Sequence, residues 1–204
     1  MDRRDLTGTL PVQTEGKEII VEASVTLQDE PASAVLYAKT RSRLLRVNEW
    51  HELAGSLSAD FQLTDRHGIR LSRTVEQGDY IRVDIPGPGS GAGNGYDWVK
   101  VEALTEITGG VDAIAIRVRP CSNPTGVNAS IAHFYDASAT STFILERQET
   151  TVYARIIDRN TKPNDDTSSF TDELRHTIAG AAAIAAFSRL QWKALAKALL
   201  EMAS

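Results

Sequence analysis

The sequence predicts an α+β protein built on antiparallel strands. Two observations carry that reading. Short apolar runs alternating with polar residues recur along the chain and are joined by Asp-, Asn- and Gly-containing turns, as in consecutive hairpins. Helix-like spacing, in contrast, is confined to a stretch after the first alternating run and to the C-terminus. With 204 residues, 42% apolar and 24% charged, the composition is that of a globular protein. Such a length can bury a core without disulfides, and one domain over 1–204 is expected.

Residues 1–17 read as a loosely ordered lead-in. Ile19, Val21, Ala23, Val25 and Leu27 then alternate with Ile20, Glu22, Ser24, Thr26 and Gln28, a period of two that predicts a strand with one buried face. Asp29-Glu30-Pro31 puts acids and a proline where a helix start favours them. Val35, Ala38 and Leu45 share a stripe beside Leu44 and Val47, which predicts a helix over 32–46. Asn48 is placed to cap a short second helix carrying Trp50 and Leu53, which Gly55 ends.

Strands follow at Ala59-Phe61-Leu63, at Ile69-Leu71 after the turn Asp65-Arg66-His67-Gly68, and at Ile81-Val83-Ile85 after Gln77-Gly78-Asp79. Beyond a glycine-rich loop come Val99-Val101-Ala103, the turn Gly109-Gly110, and Ile114-Ile116-Val118. Phe143-Leu145 and Val152-Ala154-Ile156 form a last hairpin around Gln148-Glu149-Thr150. The intervening 120–141 shows little pattern, with a short strand expected over Ile131–Tyr135. Asp158 to Ser169 is polar and reads as a loop. Ser169 or Thr171 can cap a C-terminal helix with Asp172 and Glu173 in its first turn. Ser188-x-x-Gln191 has capping-box spacing, which predicts helices over 172–187 and 189–203.

The order of these elements resembles the helix-grip architecture of START/Bet v 1-like proteins. The stretch that carries the resemblance is Ile19–Leu27, then Pro31-Ala32-Ser33-Ala34-Val35-Leu36-Tyr37, Trp50 and Ala59-Asp60-Phe61. The resemblance implies a curved sheet crossed by a C-terminal helix with a cavity between them, and a small-molecule ligand. The interruption at Ser188, the glycine-rich loop and the 120–141 segment depart from the family's pattern. A rival reading makes 58–107 a small SH3-like barrel, because Gly78-Asp79-Tyr80-Ile81 is a turn-into-strand pattern there as well.

The bulk chemistry excludes several function classes. Cys121 is the single cysteine, so no intramolecular disulfide or cysteine-rich zinc site is available, and a reducing, cytoplasmic location is expected. Met1-Asp2-Arg3-Arg4-Asp5 is charged at once and no apolar signal follows, while Ile178–Phe187 is too short to span a bilayer. A formal net charge of −5 does not attract nucleic acid. His51, His67, His133 and His176 are scattered without metal-ligand spacing, so neither a metal nor a cofactor is expected.

Candidate site residues come from three places. Arg117 and Arg119 share one strand face opposite Ile116 and Val118, and Arg155 shares a face with Tyr153 and Ile157, with Arg159 following; the guanidiniums converge if these strands are neighbours. Converging guanidiniums would receive a carboxylate or phosphate; alternatively they pair with Glu102, Glu106 or Glu146 on a solvated face. The segment Pro86–Trp98 lacks the strand-to-helix context and the Lys-Ser/Thr of a phosphate loop, and reads as a hairpin loop or a flap whose Tyr96 and Trp98 touch a ligand. His133 with Cys121 is the only simple base–nucleophile pair, although Pro120-Cys121-Ser122-Asn123-Pro124 matches no protease signature. Asp158 and Asp165-Asp166 read as acids near a helix start rather than as catalytic carboxylates.

These features favour a non-catalytic binding protein for a lipid-like or anionic small molecule. A cyclase- or hydrolase-type enzyme on the same scaffold would need a histidine or carboxylate of shifted pKa inside the cavity. A third reading is an interaction module that oligomerises through the C-terminal helices. It draws on the alanine run Ala179–Ala186 and on the stripe Trp192, Leu195, Leu199 and Met202, which is otherwise core.

Overall fold

The computed structural model describes residues 5–55, 58–85, 90–109, 111–127, 129–164 and 178–202, with side chains of the last helix from Ala186 onward. Seven strands are β1 (Lys17–Thr26), β2 (Asp60–Thr64), β3 (Tyr80–Asp84), β4 (Asp97–Ile107), β5 (Asp112–Pro120), β6 (Thr140–Gln148) and β7 (Thr151–Thr161). They form one curved antiparallel sheet in the order β1-β7-β6-β5-β4-β3-β2. Register shifts at Lys17/Ile19 and Val101/Ala103 mark bulges, which bend and twist a strand locally. The strands β2, β3 and β4 continue this sheet, so the SH3-like alternative for 58–107 does not hold.

Helix α1 (Glu30–Leu45) starts where the sequence places it. The Asp29 carboxylate accepts the backbone N–H of Ala32 at 2.8 Å, with Pro31 in the first turn. Helix α2 (Trp50–Ala54) ends at Gly55, whose φ of 90° suits glycine. Asn48 does not cap α2: its side chain instead accepts Leu63 N–H and donates to Leu71 C=O, both at 2.8 Å. The expected return strand at 69–71 is reduced to an isolated bridge, Thr64 with Arg70, alongside that tie. Ile131 and Tyr135 likewise make only isolated bridges.

Helix α3 (Ile178–Leu200) runs unbroken through Ser188. The expected break fails because its signals have tertiary partners. Ser188 is buried against Tyr135, and the Gln191 amide oxygen accepts the backbone N–H of Ala59 at 2.8 Å. The helix end is fastened by Arg43 of α1, whose guanidinium donates to the carbonyls of Ala198, Leu199 and Glu201 at 3.3, 2.8 and 2.6 Å. The expected helix start at 169–173, with His176, lies outside the described residues, as do Pro86–Gly89 and Asp165-Asp166. Among the described residues no helix is long and apolar enough to cross a membrane.

The main core lies between the sheet's inner face and α1, α2 and α3. Val21, Phe61, Leu63, Ile81, Val101, Ile114, Ile116, Phe143, Leu145 and Ile156 meet Leu36, Leu44, Trp50, Trp192, Leu195 and Leu199. Three members of the C-terminal stripe are therefore spent inside the fold, while Met202 is exposed.

The segment 5–16 is not a loose lead-in. It crosses the outer face, where Leu10 packs on Ala115, Ile144 and Ile157. Asp5 Oδ2 accepts Leu10 N–H at 2.5 Å, and the Asn160 amide oxygen accepts the N–H groups of Thr14 and Glu15 at 2.8 and 3.1 Å. Gly16 completes this strap because a Cβ there would lie 2.5 Å from Thr161 O.

Candidate functional site

Large aromatic side chains on the sheet's inner face, on α2 and on α3 meet in edge-to-face, tilted and stacked pairs without filling the space between sheet and helix. Trp50 lies 5.4 Å from Phe61 and 4.7 Å from Phe143 between ring centroids, and Trp192 lies 5.2 Å from Phe143 at nearly a right angle. They leave a cavity of about 50 Å³, with Val83, Val99, Val118, Phe134 and Phe187 completing its apolar wall. His133, Tyr135, Ser141, Asp158, Ser188 and Gln191 supply its polar groups.

Asp158 reaches the cavity because β7 runs to Thr161, so the inward row Val152, Ala154 and Ile156 continues to residue 158. One oxygen, Oδ2, accepts the Trp192 indole N–H at 2.9 Å. Its cross-strand neighbour Ser141 also hydrogen-bonds the carboxylate. The other oxygen, Oδ1, is buried and has no partner among the described residues. Burial pushes the carboxyl up to about 6, against the pull of the Ser141 and Trp192 hydrogen bonds.

A second buried acid lies behind the wall. Asp97 opens β4, is fully buried, and accepts the backbone N–H of Phe134 at 3.4 Å. Burial raises it to about 7. His133 Nε2 stands 3.9 Å from Asp97 Oδ2, while His133 Nδ1 accepts the backbone N–H of Tyr135 at 2.9 Å. That acceptor role assigns the ring proton to Nε2, on the side of Asp97. Burial lowers the imidazole to about 3, so it is neutral at ordinary pH. The Tyr135 hydroxyl is raised by burial and hydrogen-bonds Ser188 of α3.

Of the residues expected at the site, the structure brings only His133 to the cavity. The arginines lie on the outer face, where acids already hold them. Arg117 and Arg119 both bind Glu102, at 2.9 and 2.5 Å, and donate to the carbonyls of Thr9 and Ala137. Arg155 bridges Glu22 at 2.5 Å and the buried Glu146, and Arg159 binds Glu18 at 2.8 Å. The paired alternative therefore describes them, with Glu102 and Glu146 as partners and Glu106 taken by Arg41. Tyr96 lies under the Arg82 guanidinium, 4.1 Å from ring centre to Cζ. Trp98 is buried against Gly93 and Ala132. Neither lines the cavity.

Cys121 is pushed up to about 12 by burial, opposite to what a thiolate nucleophile needs. Among the described residues no three His, Cys, Asp or Glu side chains gather as a metal site. Asp158 and Asp97 were legible only as continuations of the alternating rows Val152-Ala154-Ile156 and Val99-Val101; polarity had marked Asp158 as loop.

A sheet this curved, with two helices after its first strand and a long C-terminal helix lying across it over a cavity, decides the architecture. The architecture is an α+β helix-grip fold. The chain is similar to hypothetical protein jhp0584 from Helicobacter pylori, with a TM-score of 0.51 at 11% identity over 90% of this chain and 88% of that one. It is also similar to Ara h 8.0201 (TM-score 0.38, 15% identity, 90% and 99% covered). Norcoclaurine synthase from Thalictrum flavum, solved in complex with dopamine and hydroxybenzaldehyde, aligns with a TM-score of 0.39 at 9% identity over 96% and 98%. At 11% identity the likeness to the Helicobacter pylori protein is one of fold alone. No family model and no curated protein matches the chain.

Proposed function

We propose that this helix-grip protein binds a small, largely apolar molecule between α3 and the sheet. The observation that carries the reading is an aromatic cavity with a few polar groups converging on it, the usual constitution of a small-molecule site. Its volume of about 50 Å³ is well below the ~300 Å³ at which drug-sized sites begin. The occupant is therefore very small, or it enters as the cavity widens.

Widening has a preferred place. The C-terminal half of α3 is fastened by Gln191 to Ala59, by Trp192 to Asp158 and by Arg43 to the helix end. Phe187, half-buried and one turn before the Gln191 and Trp192 ties, forms the part of the wall that can give. Native mass spectrometry of protein from its own host, against a denatured sample, tests the proposal. A mass excess lost on denaturation is the expected result. A clean apo mass, together with no change in the indole N–H resonances of Trp50 and Trp192 on adding small apolar compounds, would sink it.

A second reading is an enzyme on the same scaffold. The specific observation in its favour is the pair of environments in one site, a neutral His133 and an Asp158 raised to about 6. Asp158 is then the group that takes or gives a proton. Product formation abolished by Asp158→Asn, with binding retained, separates this reading from simple binding.

A further inference from the structure

We infer that the cavity's occupant offers a hydrogen-bond donor, a hydroxyl or an ammonium, to the free carboxylate oxygen of Asp158, and that the site selects against anions. The inference rests on the binding reading above and names the chemistry of its ligand.

Asp158 is 1% exposed, and the Trp192 indole and Ser141 engage its carboxylate without meeting Oδ1. A buried acceptor left unmatched is costly, so a ligand that supplies a donor there gains what a plain hydrocarbon cannot. The rest of the wall does not supply that donor. Trp50, Phe61, Phe143 and Val118 have none aimed at it, the Tyr135 hydroxyl is engaged with Ser188, and His133 Nε2 faces Asp97.

The charge balance points the same way. No lysine or arginine lines the cavity among the described residues, and Arg117, Arg119 and Arg155 lie across the sheet in ion pairs. An anionic ligand would thus be desolvated beside a carboxylate with no cation to meet it. The geometry reverses the sign that the arginines suggest in the sequence: the ligand is neutral or cationic at its polar end.

The test uses probes of matched size on the full chain: 2-propanol, isopropylammonium and acetate, with xenon as a purely apolar control. Binding is read from the Trp192 and Trp50 indole N–H and the Ser141 and Asp158 amide resonances. The alcohol and the ammonium are expected to bind at least ~10-fold more tightly than acetate, the discrimination of one buried hydrogen bond to a charged group. In Asp158→Asn the amide oxygen is claimed by Trp192, so the cavity meets an NH2 donor instead. The ammonium should then weaken by about 10-fold or more while acetate gains. If all probes bind wild type alike, the donor inference fails and the binding reading stands. If none of them, xenon included, moves a cavity resonance, both fail. The wild-type rank order is decisive by itself should the variant not fold.

Discussion

The two faces of the sheet handle buried charge in opposite ways. On the outer face, Arg155 and Glu146 are both buried, and each has a charged partner or a backbone donor: Glu22 for the arginine, Leu6 N–H for the glutamate. On the inner face, Asp158 and Asp97 are equally buried but have only neutral donors, and both are pushed upward. Pairing lets the outer acids serve as structural ties under the strap. Isolation leaves the inner acids poised to change protonation or accept a new partner. Charge that is matched inside the fold builds it, and charge left unmatched is what a site has to offer.

The largest expected effect comes from breaking the outer pairing. Arg155→Met leaves Glu146 buried beside an apolar side chain and should destabilise by about 3–5 kcal/mol in urea unfolding. A loss under ~1 kcal/mol, the range of an exposed pair, would mean that this face is not closed by the strap.

The inner acids should respond in the other direction. Asp97 keeps its proton to about pH 7 in the folded chain and to about 3.8 when unfolded. Wild-type stability from this group is therefore present at low pH and lost as pH rises from about 4 through 7. Asp97→Asn, which cannot ionise, should gain on wild type by on the order of 3 kcal/mol at pH 8 relative to pH 4. Paired unfolding curves at the two pH values check the slope, and a flat difference would show that Asp97 is solvated.

His133 gives a smaller effect of opposite sign in an overlapping window. Its folded value of about 3 lies below the unfolded 6.5, so its contribution is present above 6.5 and lost as pH falls toward 3. His133→Asn keeps an acceptor for Tyr135 N–H and removes the titration. It should lose less stability than wild type between pH 6.5 and 4.5, by about 2 kcal/mol, in the same assay. The smallest change is at the rim: Arg117→Gln, a half-buried partner of Glu102, should cost no more than ~1 kcal/mol and shrink further in high salt.

Much of the fold was written in local pattern. The alternation of Ile19 to Leu27, the Asp29 cap with Pro31, Gly55 after the short helix and the successive hairpins all report choices made within a few residues. Local chemistry misled where a polar residue had a distant partner. Ser188 and Gln191 looked like a capping box but are turned toward Tyr135 and Ala59, so α3 continues. Asn48 looked like a cap but ties the edge strand. The N-terminal residues looked loose because nothing in their own sequence shows that Asn160 and the outer face will hold them.

The site divides in the same way. The sequence by itself determined the strands and hence which side chains share a face: Arg117 with Arg119, and Val152, Ala154 and Ile156 in a row that leads to Asp158. Only the tertiary structure decided which face α3 covers, because either side of a two-sided sheet can be roofed and the outcome depends on where a chain end more than a hundred residues from β1 comes to rest. That decision sent the arginines outward into pairs and Asp158 inward beside Trp192. It made an acid, with no arginine beside it, the charged group that lines the cavity.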